Sequence, residues 1–208
     1  MADRRRFFRG AVSLAALCLA VSACGTRIST LYEKVLGSPG YDRITRDHTR
    51  TREVHDGLEV RFILAATWLS PKWVQSFTQE YANIYYLDSD RTQRMADRWR
   101  SESESYDRFF VALFTPDEEG NDLERKETLW SLHLVRSDER ETSPVYVRKS
   151  SLQPEEVKRF FPYAETWYRC YEVAFPKGEG EPKPLLPGSP RLRLVLSGVQ
   201  GRAVLVWQ

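Results

Sequence analysis

Cysteine is scarce in this chain, with three in 208 residues, and only Cys170 lies beyond position 24. A disulfide-stapled scaffold is thereby excluded, since Cys170 has no partner in the body of the chain. Histidine is equally sparse, limited to His48, His55 and His133. None falls in an HExxH, CxxC or calcium-loop spacing, so neither a metal ligand set nor a cofactor is expected. The chain also lacks a long apolar run: Ala11 to Ala20, broken by Ser13, is its longest. That falls short of the roughly 20 residues a helix needs to cross about 30 Å of hydrocarbon. There is no GxSxG elbow, no P-loop and no dinucleotide fingerprint, and Gly198-Val199-Gln200-Gly201 lacks the strand-to-helix context of a phosphate cradle.

What the N-terminus does contain is ordered. Arg4, Arg5, Arg6 and Arg9 precede the apolar run, the layout of an export signal. It closes on Leu19-Ala20-Val21-Ser22-Ala23-Cys24. Val21-Ser22-Ala23-Cys24 resembles the lipobox of bacterial lipoprotein precursors. The resemblance implies cleavage between Ala23 and Cys24, a diacylglycerol thioether on the Cys24 sulfur, and acylation of the new α-amine. Cys18 does not fit, because bulky Leu17 precedes it and Leu19 continues the apolar run. Two or three acyl chains anchor durably where one binds only marginally. The bilayer is thus the partner implied through acylated Cys24. In enterobacterial lipoproteins an Asp after the Cys favours inner-membrane retention. Gly25 stands here instead, which implies the outer membrane, facing the periplasm.

Removing residues 1 to 23 changes the charge reading. Their four Arg and Asp3 sum to +3, so the formal +2 of the whole chain becomes −1. With signs interspersed along the remainder, no basic face for nucleic acid is expected.

Residues 24 to 56 read as a lipidated tether and lead-in: Gly37-Ser38-Pro39-Gly40 punctuates it, and Asp42 to Asp56 is charged without apolar periodicity. Residues 57 to 208 then form a single domain. Leu58, Val60, Phe62, Leu64, Ala66 and Trp68 alternate as the inward face of a first strand. Ser70-Pro71 caps a helix whose face carries Val74, Phe77, Tyr81, Ile84 and Tyr85. Asp88-Ser89-Asp90 opens a second, less buried helix through Ser105, completing a helical insertion over 70 to 105. Strands are expected at Tyr106–Thr115, Thr128–Arg136, Val145–Lys149, Thr166–Phe175, Arg191–Ser197 and Arg202–Trp207, with a short helix from Pro154 and a Gly/Pro loop over Pro176–Pro190. The last two strands form a hairpin in which Leu192, Leu194, Leu196, Ala203, Leu205 and Trp207 share a face. About seven strands without strand-helix alternation predict a mainly β fold, an antiparallel β-sandwich of immunoglobulin-like type with inserted helices. In length and strand pattern, residues 50 to 208 resemble uncharacterised proteobacterial lipoproteins, a resemblance that implies no activity.

Chemistry-bearing residues are few. Cys170, beside Trp167, Tyr168 and Tyr171, reads as a buried thiol; His133 falls on the outward phase of its strand. Glu155-Glu156 fits a helix N-terminus and Glu118-Glu119 a hairpin loop better than paired acid/base groups. Aromatics cluster over Trp73–Tyr86 and Phe160–Tyr171, in phase with a core. The expected function is a membrane-anchored, non-enzymatic binding or assembly module, its further partner another envelope protein or a cell-wall component. The alternative is a periplasmic hydrolase centred on Cys170, with His133 as base, or on a cleft carboxylate.

Overall fold

The computed structural model describes residues 38–178 and 191–208. The lipobox, with Ala23 and Cys24, and most of the Gly/Pro loop lie outside the described residues. In chain order the elements are α1 (Pro39–His48), β1 (Thr49–Asp56), β2 (Glu59–Trp68), α2 (Pro71–Tyr85), α3 (Ser89–Ser105), β3 (Tyr106–Phe114), β4 (Trp130–Arg136), β5 (Glu141–Thr142), β6 (Tyr146–Lys149), α4 (Pro154–Phe160), β7 (Arg169–Pro176), β8 (Leu192–Gly198) and β9 (Gly201–Trp207). They build a five-stranded sheet, order β1-β2-β3-β7-β6, and a four-stranded sheet, order β5-β4-β8-β9. Every pairing is antiparallel.

The helical insertion forms as its caps predict. The Ser70 side chain accepts from the Trp73 backbone N–H with Pro71 in the first turn, and Asp88 accepts from Arg91 N–H at 2.7 Å. Only Ser103 of α3 is buried, in keeping with its polar composition.

The charged stretch Asp42–Asp56, expected as a solvated lead-in, is instead α1 and β1. Ser38 caps α1 through its hydroxyl, and Tyr41 and Thr45 are its only buried residues, with Ile44 partly buried beside them on an otherwise polar helix. Strand β1 is an edge, paired on one side with β2 from Thr49↔Thr67 to Asp56↔Glu59. An edge tolerates charge along its length and leaves no apolar alternation to read. Leu58, expected on the inward face of a strand, lies in the β1–β2 turn beside Gly57 (φ 61°) and is fully exposed.

The two sheets face each other over one core, giving a sandwich-like architecture. Phe62, Leu64, Phe109, Val111, Leu113, Val173 and Phe175 project from the larger sheet against Leu132, Leu134, Leu194, Leu205 and Trp207 of the smaller. The C-terminal hairpin has the predicted shared face, with Leu192↔Trp207, Leu194↔Leu205 and Leu196↔Ala203 in register. A second core lies on the other side of the larger sheet, where Ala65, Phe110 and Ala112 meet Trp73, Phe77, Val157, Phe160 and Phe161. Strand β3 is therefore covered on both faces, which is why its sequence reads as a continuous apolar run. At one side the sheets are tied together, Arg50 Nε donating to Val206 O at 2.9 Å and Trp207 Nε1 to His48 O at 2.8 Å. The outer face of the four-stranded sheet is left open at Ser131, Arg202, Val204 and Val206.

Candidate functional site

The loop after α4 does not lie flat on the sheet. Between the end of β6, the start of β7, α4 and residues 162–169 it leaves a cleft of about 840 Å³. That volume lies in the range of small-molecule and peptide pockets. Lys149, Lys158, Arg169, Glu155 and Glu165 supply its charged groups, and Cys170 forms part of its floor. Trp167, expected to help cover Cys170, stands at the rim with 72% of its surface exposed. Lys149 also pairs with Glu124 at 3.0 Å. Burial alone would raise the Glu124 carboxyl, but hydrogen bonds from Lys149 and its own backbone leave it lowered. A smaller cleft of about 250 Å³ adjoins through Leu152. There Arg108 stacks on Trp99 at 4.2 Å and pairs with Glu102, while Arg148 lies 4.8 Å over Tyr146 and pairs with Glu172 at 2.6 Å. Acids thus neutralise the Arg108 and Arg148 guanidinium groups in the smaller cleft, which Arg98 also lines.

Cys170 is half-buried, and burial pushes its thiol from an ordinary 9.0 up to about 11. Its side chain belongs to the helix-facing core. His133 occupies the outward phase of β4 in the other sheet. The sheet-to-sheet core, about 10 Å thick in such packings, separates them. The fold therefore brings no histidine base to this thiol, against the Cys170–His133 pairing. At pH 8 the Cys170 thiolate population is about a hundred-fold below that of a thiol at its ordinary value, tenfold per pH unit. Iodoacetamide should accordingly alkylate Cys170 slowly at pH 8 and accelerate through pH 11; a rate already level by pH 9 would contradict this.

The histidines do not converge. His48 Nδ1 bonds Ile44 O at 2.8 Å and its ring lies 6.2 Å from Trp68, a structural role; His55 faces Glu53 at 3.2 Å on the surface. His133 Nε2 lies 2.5 Å from Ser131 Oγ, and its Nδ1 lies 3.3 Å from Glu141 Oε1. Among the described residues no group of three or more His, Cys, Asp or Glu could hold a metal ion.

The acidic pairs serve the fold. Glu156 caps α4, accepting from Gln153 N–H at 3.0 Å, and accepts from the Tyr85 hydroxyl at 2.7 Å, which raises that phenol to about 12. Glu118 approaches Arg169 at 3.9 Å. The loop carrying Glu118 and Glu119 is not a hairpin: β3 and β4 lie in different sheets, so it crosses between them. Asn121 pins that crossing, donating to Leu113 O at 2.7 Å and accepting from the Tyr171 hydroxyl at 2.8 Å. The aromatic segments mostly seal helices to sheet, as at Phe110–Phe161, stacked at 3.6 Å. Trp167, Tyr86 and Tyr85 are the exposed exceptions. Neither Ser131 nor Glu141 stands out in the sequence; the available signal was a Ser and His two apart on the outward phase of one strand.

No family model matches this chain, and no curated protein matches it. One solved structure is similar, a protein of unknown function from Burkholderia pseudomallei, with 13% identity over 81% of each chain and a TM-score of 0.43.

Proposed function

We propose that this chain is a lipid-anchored envelope protein whose β-domain is a binding or assembly module, with the cleft beneath Trp167 as its contact site. The anchoring half of the reading is supported by Val21-Ser22-Ala23-Cys24 after an Arg-rich, apolar leader. The binding half is carried by one observation, an open cleft of about 840 Å³ that presents an exposed tryptophan beside cationic side chains. A large amphipathic ring in such a place has the character of an interface anchor. The partner is another envelope protein or a cell-wall component, reached from the outer membrane on the periplasmic side. No described helix is long and apolar enough to cross a membrane. As a finer reading of the architecture, we propose an immunoglobulin-like relationship, supported by chain crossings between the two sheets at β3–β4, β5–β6 and β7–β8. The helices between β2 and β3 depart from that pattern.

Cys24→Ala should abolish palmitate labelling and release the protein from the membrane fraction. A Cys24→Ala protein that still labels and sediments with membranes would sink the anchoring reading. In the anchored protein, a photo-crosslinking side chain at Trp167 should give a discrete adduct that the same group at Val199, exposed on the β8–β9 turn, does not. Equal or absent adducts at the two positions would remove the cleft from the reading. The hydrolase reading finds its support elsewhere, on the outer face of the smaller sheet.

A further inference from the structure

We infer that Ser131, His133 and Glu141 form a hydrolytic site for carboxylic esters with an apolar acyl group, beyond the tethered binding role. Ser131 and His133 project from the same face of β4, and Glu141 joins them from β5 because Val135 pairs with it across the short β4–β5 ladder. The two contacts orient one another. Ser131 Oγ lies 2.5 Å from His133 Nε2 and Glu141 Oε1 lies 3.3 Å from Nδ1; assigning the ring proton to Nδ1, on the side of the carboxylate, leaves Nε2 to accept from the serine hydroxyl. That is the tautomer in which histidine can remove a serine proton.

The neighbouring strands complete the surface. Ser131 pairs with Ser197, and Ser197 with Arg202, placing a hydroxyl and a guanidinium on the same face as the nucleophile, where an oxyanion would form. His133 pairs with Val195 and Val195 with Val204, while Arg193 pairs with Val206. These valines make an apolar floor beside the serine for the acyl part. In the reaction Ser131 Oγ bonds to the ester carbonyl carbon as its proton passes to His133 Nε2. The carbon–oxygen bond to the alcohol breaks and the departing oxygen takes that proton. Water, deprotonated by His133, then attacks the acyl-serine, releasing the acid and returning the proton to Ser131. The sum is ester plus water to acid plus alcohol. His133 and Ser131 are the catalytic residues and Glu141 a positioning residue.

The test uses the purified full-length chain with p-nitrophenyl butyrate and an alkyl fluorophosphonate. The phosphonate should label Ser131, located by mass spectrometry. Ser131→Ala and His133→Gln should each lower kcat/KM by about 100-fold or more, the lower range for acid–base assistance. His55→Gln, on β1 of the other sheet, should leave it unchanged. Glu141→Gln should lower kcat with KM retained, and Glu141→Asp should restore part of the loss. All these side chains face outward, so the variants fold. Hydrolysis equal in wild type and Ser131→Ala, or no phosphonate on Ser131, would overturn the site. Acetate cleaved as well as butyrate would overturn the apolar acyl preference. Membrane anchoring and Trp167 crosslinking are read separately, so either reading can fail alone.

Discussion

Arg136→Ala is expected to lower stability by about 3–5 kcal/mol, the range for stranding one member of a buried ion pair. Arg136 Nη2 donates to Asp107 Oδ2 at 2.9 Å and to Pro176 O at 2.8 Å, and its Nη1 donates to Thr142 Oγ1 at 3.0 Å. The two charged side chains are only 7% and 9% exposed. Arg136 and Thr142 belong to the four-stranded sheet, Asp107 and Pro176 to the five-stranded one, so a single guanidinium links the layers opposite the β1–β9 side. Truncation leaves the Asp107 carboxylate buried with its principal charge partner gone, and that desolvation is the main cost. Asp107→Ala should be comparably damaging for the reverse reason. Replacing both at once, Asp107→Leu with Arg136→Met, should recover much of the loss, because it removes both charges while keeping volume. Urea denaturation of the three variants decides this. Additive losses in the double variant would mean that the pair contributes through packing rather than through charge.

Trp73→Ala should cost about 3–5 kcal/mol, as expected for emptying a large aromatic site. The ring is fully buried on α2, stacked near Phe77 at 5.0 Å and Phe161 at 5.5 Å, so it bridges α2 to the segment after α4. Its Nε1 donates to Thr45 Oγ1 at 3.1 Å, which ties in α1. Thr45 in turn ends a line of hydroxyls. Thr49 donates to Thr45 O, which leaves its oxygen to accept from Thr67, and Thr67 accepts from Tyr163, each step at 2.7 Å. Burial raises the Tyr163 phenol far above its ordinary range, so this line stays protonated. Trp73→Phe keeps most of the packing and loses the indole hydrogen bond, and should cost about 1 kcal/mol. Thermal unfolding compares the two. Because Trp73 lies in the helix-facing core and not between the sheets, the Ala variant should lose hydrogen-exchange protection in α1, α2 and α4 before the β8–β9 hairpin. Simultaneous loss everywhere would show the layers to be one cooperative unit.

The periodic elements were the legible ones. Strand β2, the β8–β9 hairpin and the two capped helices follow from signals within a few residues: alternation, Ser-Pro and Asp caps, and a Gly-bounded turn. Helix α1 does carry a Ser-Pro cap, Ser38-Pro39, but the glycines on either side make it read as a turn, and strand β1 shows no apolar alternation. Tyr41 and Thr45, with Ile44 packed beside them, seat the helix, and one sheet edge holds the strand, so both depend on the partners they meet. The same distinction separates the sites. The Cys24 pattern proposed as a lipobox is contiguous, because a processing enzyme would read an extended segment, and the sequence contains it whole. Trp167 looked like a core aromatic and became a rim residue, since strand phase says nothing about a loop before β7.

By itself the sequence determined the residue pattern around Cys24, a formal charge of −1 over residues 24 to 208, the presence of a single cysteine beyond position 24, and the positions of most strands. These rest on composition and on periods of two to four residues. Only the tertiary structure decided that β3 and β4 part into different sheets, that Cys170 and His133 face opposite sides of a sandwich, and that His133 meets Ser131 and Glu141. The reason is physical: sheet partners and ring contacts depend on which faces are buried together, and burial is a property of the packed layers, not of any one strand.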